Sequence, residues 1–109
     1  MDRIRAWLDD ILVAIDEIEQ DLPPVRDFKL YRKNRTAKRA IERNLEIIGE
    51  AMSRVLKTDV GIEVPSARKI VNLRNQIIHG YDNLSDEIIY TIATRDVPQL
   101  KKDIRKLIE

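Results

Sequence analysis

Cysteine is absent from the chain, so disulfides, thiolate metal sites and thiol nucleophiles are excluded together. Histidine occurs once, at position 79, with no second histidine and no nearby carboxylate at a recognised metal-ligand spacing except Asp82, which makes a metal hydrolase the weakest option. A nucleophile-elbow sequence is also missing. Aromatic residues are scarce, with one Trp, three Tyr and one Phe, so stacking platforms for nucleic-acid bases are not expected. No apolar run approaches the roughly 18 residues of a membrane span. The N-terminal Met1-Asp2-Arg3-Ile4-Arg5 leads into an amphipathic pattern instead of a signal-peptide core, and a cytoplasmic protein is expected. The formal net charge of +1 sits on 36% charged residues, so no global field commits the chain to a nucleic acid or a membrane. Repeats, low-complexity tracts and long linkers are missing too. With 43% hydrophobic residues over 109 positions, residues 1–109 are expected to form one domain with one core.

What is present is helical periodicity. Ile4, Trp7, Ile11, Ile15 and Ile18 step by three or four, with Leu8 and Leu12 widening the stripe. The opposite face is acidic through Asp9, Asp10, Asp16, Glu17, Glu19 and Asp21, until Pro23-Pro24 ends the helix. Charge then reverses from Arg26 to Arg43. Lys29, Arg32, Arg39 and Arg43 cluster on a helical projection, either as a phosphate-tracking stripe or as a face turned to the acidic helix or to water. Ala37, Ile41, Leu45, Ile48, Met52 and Val55 predict a long helix to about Leu56, with Arg39, Arg43, Glu46 and Glu50 on its other side. Thr58 to Pro65 interrupts the period, and Pro65-Ser66 suits the start of the next helix, which carries Ile70, Leu73 and Ile77. Ser85 before Asp86 and Glu87 reads as an N-cap, and after Pro98 a last apolar stripe runs through Leu100, Ile104, Leu107 and Ile108. The fold class is therefore all-α, an antiparallel bundle of four to five helices. Its expected core contains Trp7, Ile11, Ile15, Ile41, Leu45, Ile48, Ile70, Leu73 and Ile77.

The chemistry gathers in Arg74-Asn75-Gln76-Ile77-Ile78-His79-Gly80-Tyr81. Histidine gives and takes a proton near neutrality, and arginine is the forked cation suited to phosphoryl oxygens. On a helix Arg74 projects into the apolar arc of Ile70, Leu73, Ile77 and Ile78, while Asn75 and His79 fall together on the opposite side. A guanidinium so placed needs a carboxylate or is reserved for an anionic ligand. Pattern alone leaves two readings open: a reactive pair, or a solvated histidine beside a structural ion pair.

Arg74-Asn75, then three residues, His79, one residue and Tyr81 resembles the arginine-to-histidine signature of HEPN domains. With the tyrosine two positions on, it is similar to the HepT branch, the toxin partner of MntA-type nucleotidyltransferases. The resemblance extends upstream over Ala40-Ile41-Glu42-Arg43-Asn44-Leu45-Glu46-Ile47-Ile48-Gly49-Glu50-Ala51 and downstream over Asp96-Val97-Pro98-Gln99-Leu100. The segment Val64 to Arg68 lacks the tryptophan that many relatives have after the proline, and Tyr81 to Ser85, although similar to the family's post-motif turn, lacks its usual aromatic.

The resemblance implies a toxin that is a metal-independent endoribonuclease with no cofactor. Such cleavage needs a base for the 2′-hydroxyl, an acid for the leaving 5′-oxygen and a cation for the charge on phosphorus. One histidine cannot be base and acid at once. A homodimer that brings Arg74 and His79 of both subunits to one cleft, as the resemblance implies, removes the difficulty. Asn75, Glu46, Glu50 and Arg43 are then candidate supporting or RNA-binding residues, and Tyr81 is the residue on which an MntA-like antitoxin partner would place AMP. The alternative is a non-catalytic helical module that binds a nucleotidyltransferase or a nucleotide.

Overall fold

The first rod, α1 (Asp2–Asp21), forms because its apolar residues recur at the helical period, and its stripe is buried along its length at Ile4, Leu8, Ile11, Ile15 and Ile18. In this computed structural model the described residues are 2–78 and 85–109, so His79, Gly80 and Tyr81 lie outside them. Pro23 and Pro24 lack the N–H groups that would continue α1, and the chain turns through a short 3₁₀ segment, Pro23–Val25, that buries Leu22 and Val25.

The basic stretch is not one helix. The Asp27 side chain accepts from the Lys29 N–H and starts α2 (Phe28–Lys33); Asn34 is extended, accepts from the Ala37 N–H and starts α3 (Arg35–Thr58). Lys29 and Arg32 therefore stand on a different rod from Arg39 and Arg43, and the single helical projection that grouped the four does not apply. Among the described residues the acidic face of α1 is met from the C-terminal helix, where Lys101 Nζ lies 2.7 Å from Glu19 Oε1. Tyr31 of α2 is fully buried and packs on Tyr90, which also meets Phe28 edge-on at 5.6 Å.

The long α3 is the central rod, packed along α1 on one side and along α4 (Ala67–Ile78) on the other. Its inner positions Ile41, Leu45, Ile48, Met52 and Val55 are wholly buried, each stabilising the fold by about 1.5–3 kcal/mol through removal of apolar surface from water. The loop to α4 lacks a large aromatic and closes by other means: Val64 and Ala67 are buried, and the Ser66 hydroxyl donates to Asp103 Oδ2 at 2.6 Å. Ser85 caps α5 (Asp86–Thr91) through the Glu87 and Ile88 N–H groups. A π turn, Ile92–Asp96, then leads without a break into α6 (Val97–Ile108). Pro98 in the first turn of α6 cannot donate to the helical ladder, and the widened turn just before it is where the ladder is re-set.

The described residues thus make five helical rods without a strand, counting the α5–α6 run as one. Of the expected core, Ile11, Ile15, Ile41, Leu45, Ile48, Ile70 and Leu73 are buried. Trp7 and Ile77 are only half-buried. Trp7 lies on the flank of α1, where it lines an open cleft of about 290 Å³ with Ile47 and Glu50 of α3, and Ile77 sits in the last turn of α4. No helix among the described residues is long and apolar enough to cross a membrane.

Candidate active site

Two rods build the described part of the site. α4 presents Arg74 and Asn75 one turn before its end, and α3 passes beneath the Arg74 stem at Gly49. Ile70 and Leu73 are buried and fix the rotation of α4 about its axis, which brings Arg74 to the seam with α3. The arginine is half-buried, as its place on the apolar arc predicts.

Its polar partners differ from those the helical projection offers. Nη1 donates to Asn75 Oδ1 at 2.9 Å, so the neighbouring amide curls toward the guanidinium. The Nε–H is buried and meets no acceptor among the described residues. Among the described residues no carboxylate lies within ion-pair distance of Arg74. A buried N–H without a partner costs about 1–3 kcal/mol.

The candidate carboxylates of α3 are engaged locally. Glu50 Oε1 lies 3.0 Å from Arg54 Nη2, and Glu46 Oε2 lies 3.8 Å from Arg43 Nη1, both pairs closing one helical turn. Glu46 is the more covered of the two, at 28% side-chain exposure against 47% for Glu50, and stands one turn before Gly49 on the flank facing α4. Arg43 is largely in solvent, as are Lys29, Arg32 and Arg39. The structure thus joins Arg74 directly to Asn75 and sets the arginine stem against Gly49 of α3, whereas Glu50 lines the cleft with Trp7 of α1. The assignments to His79 and Tyr81 lie outside the described residues. One residue the helical pattern did not single out is Gly49, which carries the close approach of the two rods.

Away from this seam, the Tyr31 phenol and the Glu42 carboxylate are both shifted by burial. Burial raises the Tyr31 phenol above its ordinary value, with Glu42 and Asp86 adding to the shift, and its hydroxyl has no partner. Burial likewise raises Glu42, opposed by Lys38, which is itself bound to Asp86 at 2.9 Å. Among the described residues no group of three His, Asp or Glu side chains is placed to hold a metal ion.

The profile of the family described as ribonuclease HepT-like matches residues 11–107. A Methanocaldococcus jannaschii protein named as a candidate RNase is 32% identical over 103 residues, covering 93% of each chain. Another, from Thermococcus cleftensis and named as a candidate ribonuclease HepT, is 30% identical over 107 residues and 94% of each chain. A candidate RNase of Caldanaerobacter subterraneus subsp. tengcongensis is 27% identical over 107 residues, 96% of this chain and 94% of its own. No solved structure matches the chain.

Proposed function

Because this chain belongs to the HepT-like ribonuclease family, we propose that it is a metal-independent endoribonuclease whose site is completed by a second copy of the chain. Arg74 is the cation for the phosphoryl group and His79 the proton carrier. In the dimer one His79 takes the proton of the 2′-hydroxyl as its oxygen attacks phosphorus, and the other protonates the departing 5′-oxygen, so the products end in a 2′,3′-cyclic phosphate and a 5′-hydroxyl. Asn75 steadies the guanidinium, and Glu46 and Glu50 border the cleft. Exposed Lys29, Arg32, Arg39 and Arg43 attract the RNA backbone.

The observation that supports this reading best is the state of Arg74: a half-buried cation held by a neutral amide, with a buried N–H unused and no carboxylate beside it among the described residues. A structural ion pair would have filled that place. Cellular control follows from the same reading. The protein is the toxin of a pair, and an MntA-like nucleotidyltransferase adds AMP from ATP to the Tyr81 oxygen with release of pyrophosphate, placing bulk and negative charge where RNA phosphate must sit.

Incubation of the pure protein with RNA, beside Arg74→Ala and His79→Ala, tests the catalytic part: both variants lose cleavage, and an unaltered rate in either removes that residue from the site. Mass spectrometry after incubation with the partner, ATP and Mg²⁺ tests the control. Adenylylated Tyr81 with loss of cleavage is expected; inhibition without an adduct would mean that the partner acts by covering the cleft.

A further inference from the structure

α3 and α4 come close together at Gly49. A Cβ built there would stand 2.5 Å from the Arg74 Cβ, 2.9 Å from the Ile70 carbonyl oxygen and 3.1 Å from the Arg74 Cγ. Real Cβ contacts essentially never fall below 3.0 Å, so an alanine at 49 forces a displacement. Two of those three neighbours cannot yield cheaply. The Ile70 oxygen is main chain, and the Arg74 Cβ moves only with its own backbone, so the accommodation falls on α4 as a rod, by about 1 Å.

Helix propensity argues against a glycine here. Gly49 lies inside the 24-residue α3, where alanine is favoured by roughly 1 kcal/mol, and its backbone is ordinary helix with no positive φ. Space, and not backbone freedom, is what this position supplies. The occupant of that space is the stem of the one side chain that the site requires as its cation.

We propose that Gly49 is the positioning residue for Arg74: by carrying no side chain it lets the arginine stem lie against α3 and so aims the guanidinium. This deepens the functional reading and rests on it for the role of Arg74. The guanidinium is then held from three sides, by Gly49 beneath its stem, by the Asn75 amide at Nη1 and by the buried surroundings of Nε. Held in this way it meets a transition state without further ordering.

The test compares Gly49→Ala with Val55→Ala, which opens a cavity on the core face of the same helix, in single-turnover cleavage of an RNA oligonucleotide well below the melting temperature of either. Gly49→Ala is expected to lose about 100-fold in the rate at saturation with KM within about threefold of wild type, since a shift of about 1 Å at a positioning group has that effect. Val55→Ala, although destabilised, keeps its rate within about threefold. A Gly49→Ala rate near wild type, or an equal loss in both variants, overturns the proposal.

A second measurement needs no variant and no activity. The ¹⁵Nε order parameter of Arg74 in the free wild-type protein is expected near the rigid-backbone value of about 0.85, and a value below about 0.6 contradicts a clamped side chain even if Gly49→Ala does not fold. Failure of the wider reading is separable from failure here. An active Arg74→Ala rejects the role of the arginine, whereas an inactive Arg74→Ala beside a fully active Gly49→Ala rejects only the role of the glycine.

Discussion

Replacing Arg74 by methionine separates a site cation from a structural ion pair by stability alone. Methionine keeps the Cβ and Cγ that lie against Gly49 and removes the guanidinium. What is lost is one hydrogen bond to Asn75 Oδ1, at the exposed end of the side chain, a contribution of about 1 kcal/mol. What is relieved is a buried Nε–H without an acceptor, a cost of about 1–3 kcal/mol, together with the desolvation of the charge. The difference favours the variant by about 1 kcal/mol, which in a chain of this size raises the melting temperature by roughly 4 °C. Urea unfolding and thermal melts at matched protein concentration read it, with RNA cleavage measured on the same samples. The expected variant is more stable and inactive. If Arg74 instead belongs to a buried ion pair, removing one partner destabilises by about 3–5 kcal/mol, and a loss of that size would refute the reasoning.

Two further outcomes follow from the bundle itself. Asn34→Ala removes the side chain that accepts from the Ala37 N–H at the start of α3 and is expected to cost about 1 kcal/mol in urea unfolding; no change would mean that water caps the helix equally well. Glu42 carries a pKa raised by burial above its usual 4.5, so its favourable contribution is complete below the unfolded pKa and is lost as pH rises through the folded one. Glu42→Gln should therefore melt higher than wild type at pH 7, with the difference vanishing below about pH 4; a lower melting temperature at pH 7 would show that Lys38 compensates the carboxylate in full.

The apolar stripes were legible in the sequence because burial of one face imposes a period of three and four, and Ile11, Ile41, Leu45, Ile48 and Ile70 follow it without exception. The division of the basic stretch was not, since periodicity alone runs smoothly over Asn34. The signal was there in chemical form, as Asp27 and Asn34 are both strong N-cap residues placed just before helical runs. Tyr31 escaped for a different reason: cations stand on both sides of it in sequence, and the ring it packs on, Tyr90, lies far along the chain. At the site, the place of Arg74 on the apolar arc could be read from helical geometry, but its partner could not. Rotamers of adjacent residues decide that, and Asn75 turns to Arg74. Gly49 stood within the family-like segment with no evident task. Its task becomes visible only when the spacing of two rods is known, and no pattern within one helix encodes that spacing.

The proposed reaction is attack of a 2′-hydroxyl on the adjacent phosphorus with departure of the 5′-oxygen, carried by protein side chains alone. The most direct test is cleavage of an end-labelled RNA oligonucleotide by the wild-type protein in excess chelator, with the product ends resolved and a substrate carrying 2′-deoxyribose at the cut site in parallel. Undiminished cleavage is expected, with a 2′,3′-cyclic phosphate on one product, a 5′-hydroxyl on the other, and no cut at the deoxy position. Activity that vanishes with chelator and returns with a divalent ion, or a 5′-phosphate on the product, would contradict it.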